Sequence, residues 1–104
     1  MTYKVVITSD AEADLRSFVE YLLYEKQSMQ AARNVLNDFE LTKASLATVA
    51  ESIKLCDNPR LRELGYRKMH FISHRYFMLY RVEGMTAIVD NIFHDLQDYE
   101  SKVQ

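Results

Sequence analysis

The stretch Leu64–Tyr99, LGYRKMHFISHRYFMLYRVEGMTAIVDNIFHDLQDY, decides the fold. It reads as three consecutive strands in a meander that break into a short polar tail. From Lys68 to Phe71 basic and apolar residues alternate, whereas from Tyr76 to Val82 large apolar residues fill both sides of the strand. An antiparallel strand with one wet face should alternate apolar with polar. Tyr76, Met78, Tyr80 and Val82 point one way, and Arg75, Phe77, Leu79 and Arg81 point the other. The first face is expected to pack on the chain's own helices. The second, which mixes apolar groups with arginines, is expected to stay open and meet a partner. Ile72-Ser73-His74 reads as a tight turn, and Glu83-Gly84 as the link into Met85–Phe93.

Upstream of the meander, Tyr3 to Thr8 (YKVVIT) is short and β-branched, a first strand. Ser9 and Glu12 have the spacing of a capping box. Ala11, Leu15, Phe18 and Leu22 then recur at helical intervals to about Glu25. Lys26-Gln27-Ser28 breaks this pattern, with Ser28 available to cap a second helix. Ala32, Val35, Phe39, Thr42, Leu46, Val49 and Ile53 form a stripe over about 25 residues, which Cys56-Asp57-Asn58-Pro59 ends. Two helices joined by so short a break make an antiparallel hairpin. The order strand, helix, helix, strand, strand, strand is an α+β fold, with the helical hairpin on one face of one twisted sheet.

Bulk properties bound the rest. At 104 residues, 48% hydrophobic and 27% charged, the chain is expected to be one soluble domain, 1–104. No run nears the roughly 20 apolar residues of a membrane helix, and acidic residues arrive too early for a secretory signal. The lone Cys56 fits a reducing cytoplasm and reads as a buried structural thiol. The formal net charge of −2 is uneven. Residues 59–83 carry six Lys/Arg against two acidic residues, a net of +4, between flanks of −3 each. That is either a footprint for an anionic partner or a set of solvated strand arginines. The acidic balance overall makes a poor non-specific binder of nucleic acid. His70, His74 and His94 lack the spacing of a zinc site, and no Gly-rich phosphate loop or Ser/His/Asp signature is present, so neither metal nor cofactor is expected.

Four marks in order, YKVVITSDAEADLRSFVEYL, the Tyr66-Arg67 pair, RYFMLYRV at Arg75–Val82 and IFHDLQDYE at Ile92–Glu100, make the chain resemble the RelE/ParE superfamily of bacterial toxins. The resemblance implies the toxin of a type II toxin–antitoxin (plasmid stabilisation) module, neutralised by a cognate antitoxin lying across it. It implies one of two activities. The RelE-like branch is an mRNA endoribonuclease that works on the ribosome without a metal. It needs a base for the ribose 2′-OH, cations for the phosphorane and an acid for the leaving oxygen. The ParE-like branch inhibits DNA gyrase and needs only a binding surface. Residue by residue, the nuclease pattern falls on Lys68, His70, His94 and Tyr99 as candidate catalytic groups. Arg67, Arg75, Phe77, Leu79 and Arg81 are candidates for contact with RNA or a partner. Three expected arginines are replaced by Phe77, Leu96 and Gln97, which favours a binder or a degenerate member. The bland alternatives are a hydrogen-bonded structural His94, a solvated Lys68 and His70, and a Tyr99 that packs the tail.

Overall fold

The computed structural model describes residues 2–103. Strand β1 (Lys4–Ile7) leads into helix α1 (Ser9–Glu20), which loosens into a π-helical turn over Tyr21–Glu25. Helix α2 (Met29–Val49) and a short helix α3 (Pro59–Glu63) follow. Strands β2 (Arg67–His70), β3 (Tyr76–Glu83) and β4 (Thr86–His94) then form the meander, and a 3₁₀ turn at Tyr99–Ser101 closes the chain. The sheet order is β1-β4-β3-β2, with β1 parallel to β4 and the other two pairings antiparallel. The expected α+β order is therefore present, completed by a parallel edge strand.

Local chemistry sets the element ends. The α1 cap is Thr8 rather than Ser9: its hydroxyl accepts from the Ala11 amide at 3.2 Å and itself donates to the Asp90 carbonyl at 3.0 Å. A cap that also ties the helix to the sheet outcompetes one that only satisfies a helix amide. Ser28 caps α2 as expected, accepting from the Ala31 amide at 3.0 Å, after Gln27 takes a positive φ of 51°. Helix α2 stops at Val49, short of the apolar stripe's end, because the sheet captures the carbonyls that follow. The Tyr80 hydroxyl donates to the Ala50 carbonyl at 2.6 Å, and Arg67 donates to those of Glu51 and Ile53. The segment 59–63, expected as a basic connector, is helical. Asn58 caps it, accepting from the Arg60 and Leu61 amides, and Pro59 sits at the first turn where it forfeits no bond. Gly84, at φ +60°, makes the β3–β4 turn.

Two cores lie on the two faces of the sheet. On the helix side, Tyr76, Met78 and Tyr80 pack with Ile92 and Val89 against Ala11, Val35, Phe39 and Leu46. On the other side, Phe77, Leu79 and Phe93 pack with Cys56, Leu61 and Val103, flanked by Tyr66 and Tyr99. This second core corrects the expectation of an open face. Phe77 is 2% exposed and Leu79 0%, covered by α3 and the C-terminal segment. The tail looked polar, but Tyr99 and Val103 suffice to seat it.

Where β1 ends, β4 bulges: Leu79 faces Asn91 while Tyr80 faces Val89, leaving Asp90 as the extra residue. Asp14 of α1 accepts from the Ile92 amide at 2.9 Å and the Asn91 amide group at 3.1 Å, so the irregular edge stays hydrogen-bonded.

Candidate functional site

The period-2 alternation of β2 puts Lys68 and His70 on the second face together. The Lys68 ammonium stands 4.8 Å from the Phe77 ring centre and 4.9 Å from that of Tyr99, a cation held between two aromatic groups. The His70 ring lies 5.5 Å from Phe77, and its Nε2 is 3.5 Å from an Asp95 carboxylate oxygen. Tyr99 meets Phe77 edge-on at 5.1 Å, and burial pushes its phenol up. Lys68, His70 and Tyr99 thus line one cavity of about 590 Å³. The same cavity is walled by Asp57, Asp98 and Glu100, with Lys54 and Cys56. Burial raises the Cys56 thiol, the state of an inert structural cysteine.

His94 is not with them. Its β4 neighbour Phe93 belongs to the second core, so alternation turns His94 to the helix side, where it stacks edge-on to Tyr76 at 5.2 Å. It lines a different cavity with Phe18, Tyr21, Leu22 and Leu96. The Leu96 amide donates to its Nδ1 at 3.1 Å, and its own amide donates to Gln97 Oε1 at 2.8 Å. Those bonds shape the chain's exit from β4.

The arginines are mostly spent on the fold. Arg67 holds the chain after α2, and Arg81 donates from Nε to Asp90 at 2.8 Å and pairs with Glu83 at 2.5 Å. The Asp90 hydrogen bond is the first reason that the Arg81 guanidinium is raised. Asp90 also accepts from the Tyr66 hydroxyl at 2.8 Å; burial above all, and then this bond, raise that phenol. Arg60 donates to the carbonyls of Glu100 and Val103, and Arg62 to those of Cys56 and Asp57. Among the described residues, Arg75 is exposed and has no side-chain partner within hydrogen-bond or ion-pair distance. Buried Phe77 and Leu79 offer no surface while the tail is seated. The net charge of 59–83 therefore overstates the free cation.

Sequence reasoning passed over Asp38. It falls between Val35 and Thr42 on the buried stripe of α2, an unusual place for a carboxylate, and that position was the signal. It is 4% exposed and accepts from the Ile72 amide at 3.1 Å and the Ser73 amide at 3.0 Å, with His74 Nδ1 at 2.6 Å. A buried carboxylate is tolerated only with such a full set of partners.

Residues 5–99 match the family model described as the ParE toxin of the type II toxin–antitoxin system parDE. The chain belongs to the ParE toxin family. No curated protein is similar enough in sequence to match. Among solved structures, this ParE-family chain is similar to one from a chromosomal ParDE toxin–antitoxin system of P. aeruginosa. The TM-score is 0.70 and the identity 19%, covering 89% of this chain and 96% of the other. It is also similar to one in the RelBE2 toxin–antitoxin complex of Mycobacterium tuberculosis, at TM-score 0.58 and 18% identity, covering 90% and 99%. At these identities the two structures bear on the fold, which this ParE-family toxin shares with both.

Proposed function

We propose that this type II toxin arrests growth by binding a protein target, DNA gyrase being the one the ParE-like resemblance implies, and that it does not cut RNA. The observation that carries this reading is the composition of the cavity around Lys68, His70 and Tyr99. Asp57, Asp98 and Glu100 outnumber its two lysines, Lys54 and Lys68, and Lys54 is already paired with Asp57. An entering phosphodiester therefore meets carboxylates beside a single lysine unpaired among the described residues, where the chemistry needs several cations. His94, which the nuclease pattern requires beside them, stands across the sheet. Of Arg75 and Arg81, the two arginines that could compensate, Arg81 holds the fold instead, and Arg75 is not among the residues that line this cavity.

Neutralisation by a cognate antitoxin follows from family membership and from neighbours that belong to toxin–antitoxin systems. Among the described residues no helix is long and apolar enough to cross a membrane, in keeping with action in the bacterial cytoplasm. The test is a supercoiling reaction with purified gyrase and toxin. Loss of supercoiling at toxin excess, restored by adding antitoxin, is expected; supercoiling unaffected at that excess contradicts the gyrase reading.

A further inference from the structure

We propose that the β2–β3 loop, residues 71–75, is the element with which this toxin touches its protein target. Arg75 pairs with a target carboxylate, Ile72 enters an adjoining apolar recess, and Asp38 is the positioning residue for both. The inference rests on the binding function proposed above and names the surface that performs it.

Three observations converge on this loop. First, its shape is set in advance. Asp38 fixes the amides of Ile72 and Ser73 and the ring of His74, the Phe71 amide donates to the Tyr76 carbonyl at 2.8 Å, and the Arg75 carbonyl accepts from the Asp95 amide at 2.9 Å. A five-residue surface turn is thus hydrogen-bonded at each end and at its tip. Second, what this frame presents is unpaired. Arg75 is exposed with no side-chain partner among the described residues, although Arg60, Arg62, Arg67 and Arg81 are all engaged. Third, Ile72 is 62% exposed three residues away, within about 10 Å along the chain. Arginine is among the residues enriched at binding hot spots, and Ile72 adds exposed apolar area to the same loop. Fixing such a pair beforehand removes ordering entropy from the association step. A buried carboxylate is costly to install, and here its oxygens serve only the loop.

The partner this fits is an acidic protein surface, because a guanidinium takes a carboxylate in two parallel hydrogen bonds and isoleucine requires an apolar neighbour. A single-stranded nucleic acid would instead call for stacking aromatics and several cations on the loop, and residues 71–75 supply Phe71, which is buried, His74, whose ring is held by Asp38, and one arginine.

The test is growth arrest by the full-length toxin, induced without antitoxin and scored as the toxin level, measured by immunoblot, that halves growth. Arg75→Ala should need about tenfold more toxin with an unchanged melting temperature, Arg75→Lys should recover part of the loss, and Ile72→Ala should weaken arrest independently of charge. Asp38→Asn should weaken it as well, and combining it with Arg75→Ala should add little, since a displaced loop no longer delivers the arginine. Penalties that multiply would overturn the positioning role of Asp38. Wild-type arrest by both Arg75→Ala and Ile72→Ala would overturn the loop assignment whatever Asp38→Asn does. Failure of the unmutated toxin to arrest growth would instead overturn the binding function on which the inference stands.

Discussion

Tyr80 shows how one side chain joins the two layers. Its ring is fully buried in the helix-side core, and its hydroxyl closes the end of α2 through the Ala50 carbonyl. Tyr80→Phe leaves that carbonyl unsatisfied and is expected to cost about 1–2 kcal/mol in denaturant unfolding at neutral pH. Burial also pushes the phenol up to about 12 from an ordinary value of 10. Below pH 10 the phenol is protonated in both states and the stability is fully present. Between pH 10 and 12 the unfolded chain ionises while the folded one does not, so stability falls by roughly 1.4 kcal/mol per pH unit from this group. Tyr66, Tyr76 and Tyr99 are shifted in the same direction. The unfolding midpoint should therefore drop across this window, and less steeply in Tyr80→Phe; identical slopes would show that Tyr80 does not carry the effect.

At the scale of elements, the C-terminal segment depends on very few contacts. Tyr99 lies against Phe77 at 5.1 Å and Phe93 at 5.8 Å, Val103 completes the second core, and Arg60 binds two of the segment's carbonyls. Tyr99→Ala should cost about 2 kcal/mol and uncover Phe77, seen as new binding of a hydrophobic dye to the folded protein; stability and dye binding like the wild type would mean the segment does not seat through Tyr99. The period-2 pattern of β3 did reveal large apolar groups on both faces. It did not reveal that the second face is covered, because a tail with two anchoring side chains has no periodicity to read. The same limit explains the helix ends. The stripe to Ile53 is real, but the bonds from Tyr80 and Arg67 that stop α2 at Val49 come from residues distant in sequence. The strand order of the meander, the helical break at Lys26–Ser28 and the Ser28 cap were all local, and these were legible.

For the whole molecule, the separation of candidate groups is what the sheet imposes. Lys68 and His70 share a face because they are two apart on one strand, which spacing foretells. His94 lies on the opposite face, a consequence of its alternation with Phe93 on β4, two strands away from β2. Most of the net charge of 59–83 likewise became structural once the partners of Arg60, Arg62, Arg67 and Arg81 were in place. A toxin built this way has a fixed loop bearing one free arginine, and a cavity in which carboxylates outnumber lysines. Its action should be on a protein. The most direct measurement is 5′-end mapping of mRNA in a cell-free translation reaction given purified toxin. Intact message, with no toxin-dependent ends at any codon, is the predicted result. Discrete cuts that appear only on ribosome-bound message, and that vanish in Lys68→Ala, would contradict the account and place the chemistry in the cavity around Lys68.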